Sequence, residues 1–183
     1  MLPVCVGSFI YGLSYVAYAS NISFLATDLK LSTAQTGYAQ TVCMGVGVVV
    51  GILLPKLMKL FKAQTMNMGI LAMAIGLGIL VFAPNLVVLL IGAAFIGIAF
   101  GLYFPAGYAM VSTYSSGSPA AALATWSIVG TAGQILSPFI VTPLMGLFSD
   151  KASLRLAFCM VLCLIFVIVN VILTGKNRVT QTD

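Results

Sequence analysis

Six stretches of about 20 mainly apolar residues follow one another along this 183-residue chain, separated by short polar connections. A stretch of that length coils into a helix that crosses the hydrocarbon of a bilayer, and six of them exceed what one soluble core of this size can hide. They lie near 3–25, 36–55, 64–83, 86–112, 120–146 and 153–174. The sequence therefore predicts an all-α, polytopic membrane protein with six transmembrane helices, forming one domain over 1–183 with the bilayer as its solvent. Charge agrees: Asp, Glu, Lys and Arg are 6% of the chain, against about 25% in soluble domains.

The scarcity of ionisable groups narrows function. The chain has no histidine or glutamate, and its carboxylate side chains are Asp28, Asp150 and Asp183. No general base, activated nucleophile or ligand cluster stands out, so neither an enzyme, a metal site nor a cofactor is expected. Cys5, Cys43, Cys159 and Cys163 fall inside apolar segments, where a thiol acts as a small hydrophobe. The net charge of +5 is scattered between hydrophobic runs and forms no basic stripe, which excludes a nucleic-acid partner. No ionisable residue falls at mid-membrane depth, so the chain by itself offers no proton-relay or ion-coupling group.

The opening MLPVCVGSF has no basic leader, and its apolar run exceeds a signal-peptide core, so it reads as a membrane helix. Cations gather on cytoplasmic loops. The cluster Lys56, Lys59 and Lys62, read as a cytoplasmic basic loop, and the tail cations Lys176 and Arg178 fall on one side; Lys30, Lys151 and Arg155 fall on the other. Both termini are expected in the cytoplasm, in the plasma membrane. Asp28, Lys30, Asp150, Lys151 and Arg155 read as surface charges of the outer loops.

Two patterns mark the spans. Small residues recur every four positions at Gly47 and Gly51, and at Ala93, Gly97 and Gly101, a spacing that lets helix backbones approach closely in lipid. Polar stripes run through the first span (Tyr11, Ser14, Tyr15, Tyr18, Asn21) and the fifth (Ser127, Thr131, Gln134). They fit the walls of a cavity. They equally fit interfacial tyrosine anchors and hydroxyls bonded to their own helix. Asn170 reads as glue between helices. Pro105, Pro138 and Pro143 predict kinks, either as hinges or as packing features.

Three segments carry a family resemblance: YGLSYVAYASNISFLATDLKLSTAQTGYAQ, GVGVVVGILLPKLMKLFK and GIAFGLYFPAGYAMVSTYSSGSPAAALATWSIVGTAGQILSPFIVTPL. Across essentially its full length the chain resembles the C-terminal six-helix half of a major facilitator superfamily transporter. In the family's loop motif a glycine precedes an Asp and paired basic residues. Here Gly51 and the lysines are present, but Pro55 stands near the position of the Asp, so the gating contact attributed to that motif is not carried over. Transporters of this family are built from two six-helix halves flanking a midplane site. The resemblance therefore implies that a second half, as a separate chain or a second copy, completes alternating access.

It also implies transport of a small solute across the plasma membrane, with the lipid bilayer, that solute and a second half as partners; the general build suggests an efflux type. The first, second, fourth and fifth helices are expected to face a cavity, lined by Tyr15, Asn21, Gln40, Tyr103 and Gln134, with the third and sixth toward lipid. A non-transporting scaffold and a truncated transporter fragment are the alternatives.

Overall fold

The computed structural model describes residues 2–61, 64–114, 118–149 and 151–179. Among them are six α-helices and no strand: α1 (Leu2–Asp28), α2 (Thr33–Phe61), α3 (Thr65–Val81), α4 (Leu86–Tyr114), α5 (Pro119–Gly146) and α6 (Ala152–Val179). Five of them are long and apolar enough to cross a bilayer. α3, with 17 residues, rises about 26 Å and sits at the short end of the spanning range.

The helix ends follow local chemistry. Lys30 adopts a left-handed conformation (φ 56°) after α1, while the Leu31 and Lys30 amides donate to the Ala26 and Thr27 carbonyls, closing the helix in a Schellman turn. Ser32 and Gln35 then form a capping box: the Gln35 amide donates to Ser32 Oγ and the Ser32 amide to Gln35 Oε1. Asn85 caps α4 through the Val88 amide. Ser118 caps α5, with Pro119 in the first turn, where its missing N–H costs nothing.

Three boundaries differ from expectation: α2 begins at Thr33, α6 runs on to Val179 and so takes in Lys176 and Arg178, and the largest shift is at the end of α2. α2 continues past Pro55 to Phe61, so Lys56 and Lys59 are exposed on the last turns of a helix and not in a loop. A membrane helix tolerates an internal proline, and cations near a helix C-terminus complement its dipole. Lys62 lies outside the described residues.

The helices alternate in direction, and their seams are set by small residues. On α1 and α5, which run parallel, a Cβ at Gly12 would strike the Gly130 carbonyl and one at Gly133 the Phe9 carbonyl. Across this seam Ser137 Oγ donates to the Leu13 carbonyl at 2.7 Å and Ser8 Oγ to the Trp126 carbonyl at 3.2 Å. α2 packs on α4 at Gly47, Gly97 and Gly101, and α3 meets α4 at Gly69, Gly76 and Gly92. Gly51 behaves differently: a Cβ there would meet nothing within 4 Å. α6 closes the bundle against α1 and α3. Asn170 Nδ2 donates to Asn67 Oδ1 at 2.7 Å, and Asn67 in turn donates to Gln64.

The outward strips separate the helices into two kinds. Those of α3 (Met68, Leu71, Ile75, Ile79) and α6 (Val161, Ile165, Ile168, Val169, Ile172) are wholly apolar. α5 leaves Thr125, Ser127, Thr131 and Thr142 uncovered among Ile128, Ile135 and Phe139. α2 leaves Tyr38 and Thr41 uncovered near its start.

Candidate functional site

The most concentrated chemistry lies where α1, α4 and α5 meet. Positions 11 and 15 of α1 are one turn apart, as are 100, 104 and 108 of α4, so each set projects from one helix face. Together with Tyr103 and Trp126 they build a continuous wall of seven rings. Tyr11 and Tyr103 stack in parallel at 4.2 Å between centroids. Phe104 stands edge-on to Tyr11 at 5.3 Å and to Trp126 at 6.1 Å. Tyr15 extends the row toward Phe100 at 5.8 Å, and Tyr108 meets Trp126 edge-on at 5.1 Å. Offset-stacked and edge-on contacts are the favoured geometries for such rings.

The wall has a buried layer and an open one. Tyr11, Tyr103 and Trp126 are at most 1% exposed, whereas Tyr15, Phe100 and Phe104 are half-buried and Tyr108 is exposed. In the buried layer the polar atoms are unpartnered: Tyr11 Oη, Tyr103 Oη and Trp126 Nε1 find no hydrogen-bond acceptor or donor among the described residues. Ser8 and Trp126 approach the Tyr103 hydroxyl without reaching hydrogen-bond geometry. An orphaned buried polar group costs about 1–3 kcal/mol. Three of them on adjoining rings are a concentration that packing by itself does not require.

Beside these rings opens a cleft of about 30 Å³, lined by Ser8, Tyr11, Phe104 and Trp126 on one side and by Ser127, Thr131 and Gln134 on the other. Pro138 has no N–H to give the Gln134 carbonyl, so that acceptor is also without its helical donor.

The residues expected to line a cavity occupy different settings. Tyr15 is half-buried with its hydroxyl turned toward the half-buried Gln40 of α2. Gln134 is half-buried at the cleft. Tyr103 is fully enclosed beneath Tyr11 and Trp126. Asn21 is 3% exposed, donates to the Ala17 carbonyl at 2.8 Å and accepts from Arg155 Nη1 at 3.1 Å.

That last contact corrects the reading of Arg155 as a surface loop charge. It sits in the first turn of α6, half-buried, with its Nε lacking a partner. Its long stem lies along the α1–α6 seam while the guanidinium reaches down to Asn21. Tyr11 and Trp126 carry more of the site than sequence spacing conveyed. The signal available was Tyr11 at the head of the tyrosine stripe and Trp126 beside the polar stripe of the fifth span.

No curated protein and no solved structure matches this chain. The model of the Major Facilitator Superfamily matches residues 4–182. Six alternating helices, five of them long enough to span a bilayer, have the form that match requires. The chain belongs to the Major Facilitator Superfamily, a family of membrane transporters that act on small solutes.

Proposed function

We propose that the chain is the C-terminal half of a secondary transporter of efflux type in the plasma membrane, both termini cytoplasmic, working against a second six-helix half. Tyr15, Asn21, Gln40, Tyr103 and Gln134 serve the solute path. The observation that carries this reading is the contrast between outward strips. Those of α3 and α6 are purely apolar and suit lipid. α5 leaves hydroxyls uncovered at Thr125, Ser127, Thr131 and Thr142, of which Ser127 and Thr131 line the Gln134 cleft. Thr125 bonds back to its own helix, but Ser127 and Thr131 have no partner among the described residues. Such groups suit water or a facing protein surface better than hydrocarbon.

Asn21 acts indirectly in this scheme, by holding Arg155, whereas Gln134 meets the solute. The test uses Ser127→Cys and Thr131→Cys in proteoliposomes with a membrane-impermeant maleimide. Labelling that changes between the two sides of the membrane as transport proceeds is the expected result. Cysteines shielded from the reagent on both sides would leave a scaffold in place of a transporter.

A further inference from the structure

We infer that this half-bundle consists of two bodies, α1 with α5 and α2 with α3 and α4, that slide against each other along the aromatic wall while α6 ties them together. The motion lies inside the chain and depends neither on a cargo nor on flux.

Glycine contacts define the bodies. At Gly12 and Gly133 on the α1–α5 seam, and at Gly97 and Gly101 on the α2–α4 seam, the atom nearest to an added Cβ is a backbone carbonyl oxygen of the facing helix. Between α3 and α4, a Cβ at Gly76 would lie 2.9 Å from the Gly92 oxygen and one at Gly92 3.1 Å from the Gly76 oxygen. Backbone set on backbone has no rotamer to change, so helices joined this way move as one. Between the bodies the contact is made by side chains instead. Tyr11 and Tyr15 of α1 meet Tyr103 and Phe100 of α4, and Trp126 of α5 lies over Gly107. Packed side chains permit the small sliding of a shear motion. α6 is fastened to both bodies: Arg155 donates to Asn21 of α1 at 3.1 Å, and Asn170 to Asn67 of α3 at 2.7 Å.

The joint is also where hydrogen bonds stop short. Within the first body Ser137 and Ser8 reach their carbonyl acceptors. Across the joint Tyr18 of α1 approaches Cys43 of α2 without bonding, and Tyr103 of α4 likewise approaches Ser8 of α1 and Trp126 of α5. The Tyr11 hydroxyl, turned toward Cys43 and Tyr103, is unpaired as well. Five buried side-chain atoms are unpaired among the described residues; four lie on this joint and the fifth, Arg155 Nε, on the tying helix. Hydrogen bonds weaken steeply with misalignment, so a small slide that brings these pairs into line recovers bonds the present register leaves unmade. Because an orphaned buried group is costly, a second register lies close in energy to this one. The Gln134 cleft sits on the same joint. Among the described residues Phe104 is the only part of its lining from the second body, the rest coming from α1 and α5, so the slide carries Phe104 across the cleft and changes its width.

Trp126 is the chain's single tryptophan, so fluorotryptophan places one fluorine on the joint. Fluorine NMR of the full chain in nanodiscs, with the half-exposed Cys5 replaced by Cys5→Ser, is expected to show two resonances, or one exchange-broadened line that splits on cooling. Tyr103→Phe keeps the ring and removes the acceptor facing Trp126 Nε1, and should shift the ratio of the two at least about fivefold. Tyr15→Cys with Gln40→Cys, half-buried positions whose native side chains face each other, ties α1 to α2 away from Trp126 when joined by a short reducible thiosulfonate linker. One resonance is expected in the linked form, with two returning on reduction. A single sharp line at every temperature would overturn the inference. So would two lines indifferent to the linker, which would belong to the indole's own ring motion, and two lines indifferent to Tyr103→Phe, which would separate any slide from the unpaired groups.

Discussion

Gly101 and Gly51 follow the same four-residue spacing rule, yet the structure predicts opposite responses to one added methyl group. A Cβ at Gly101 would lie 2.5 Å from the Gly47 carbonyl oxygen, 2.8 Å from Val50 Cβ and 3.0 Å from Val50 Cγ1. Ordinary contact begins at 3.4 Å, so α2 and α4 must part by nearly 1 Å, and the obstructing atom is backbone that no rotamer change can move. Prising apart a packed seam costs about 1–3 kcal/mol by overpacking. At Gly51 a Cβ meets nothing within 4 Å, so Gly51→Ala carries no steric term and gains up to about 1 kcal/mol of helix propensity. The assay is reversible unfolding of each variant in mixed detergent micelles, followed by Trp126 fluorescence and circular dichroism. Gly101→Ala is expected to lose about 1–3 kcal/mol, while Gly51→Ala matches or slightly exceeds the parent. Equal stability of the two variants, in either direction, would refute the assignment of α2–α4 packing to Gly47, Gly97 and Gly101.

Removing Ser137 Oγ breaks its bond to the Leu13 carbonyl; Ser137→Ala should cost about 0.6 kcal/mol and not more than about 1.7, read from the same unfolding midpoint. Asn67 and Asn170 share one hydrogen bond, so Asn67→Ala and Asn170→Ala should be non-additive by a similar amount, and strict additivity in a double-mutant cycle would show that they do not interact. Asn21→Ala strips Arg155 of its acceptor and should lower stability as well as transport, whereas Gln134→Ala should lower transport with an unchanged melt; the reverse pattern would exchange their roles. In mild detergent N-ethylmaleimide should add first at half-exposed Cys5 and reach the buried Cys43, Cys159 and Cys163 only after unfolding, counted by intact mass.

Sequence by itself determined the number and class of the elements, because crossing a bilayer demands about 20 apolar residues and the connections carry their own turn chemistry. Ser32 with Gln35, Asn85, and Ser118 with Pro119 start their helices through bonds to backbone a few residues away; the expected starts of α4 and α5 fall within one residue of the observed ones, and that of α2 falls three residues late. The family resemblance was legible too, since it rests on local stretches of sequence. Neighbours were not. A soluble helix announces its buried face by contrast with a polar one, but in lipid both faces are apolar, and burial leaves little periodic trace. Gly101 and Gly51 therefore looked alike until packing placed one against a carbonyl and the other in open space. Tertiary structure alone stacked Tyr11 on Tyr103, left their hydroxyls and Trp126 Nε1 without partners, and drew Arg155 from an apparent loop down to Asn21. Each of those contacts joins residues far apart in the chain, where local spacing carries no information about which helix faces become neighbours.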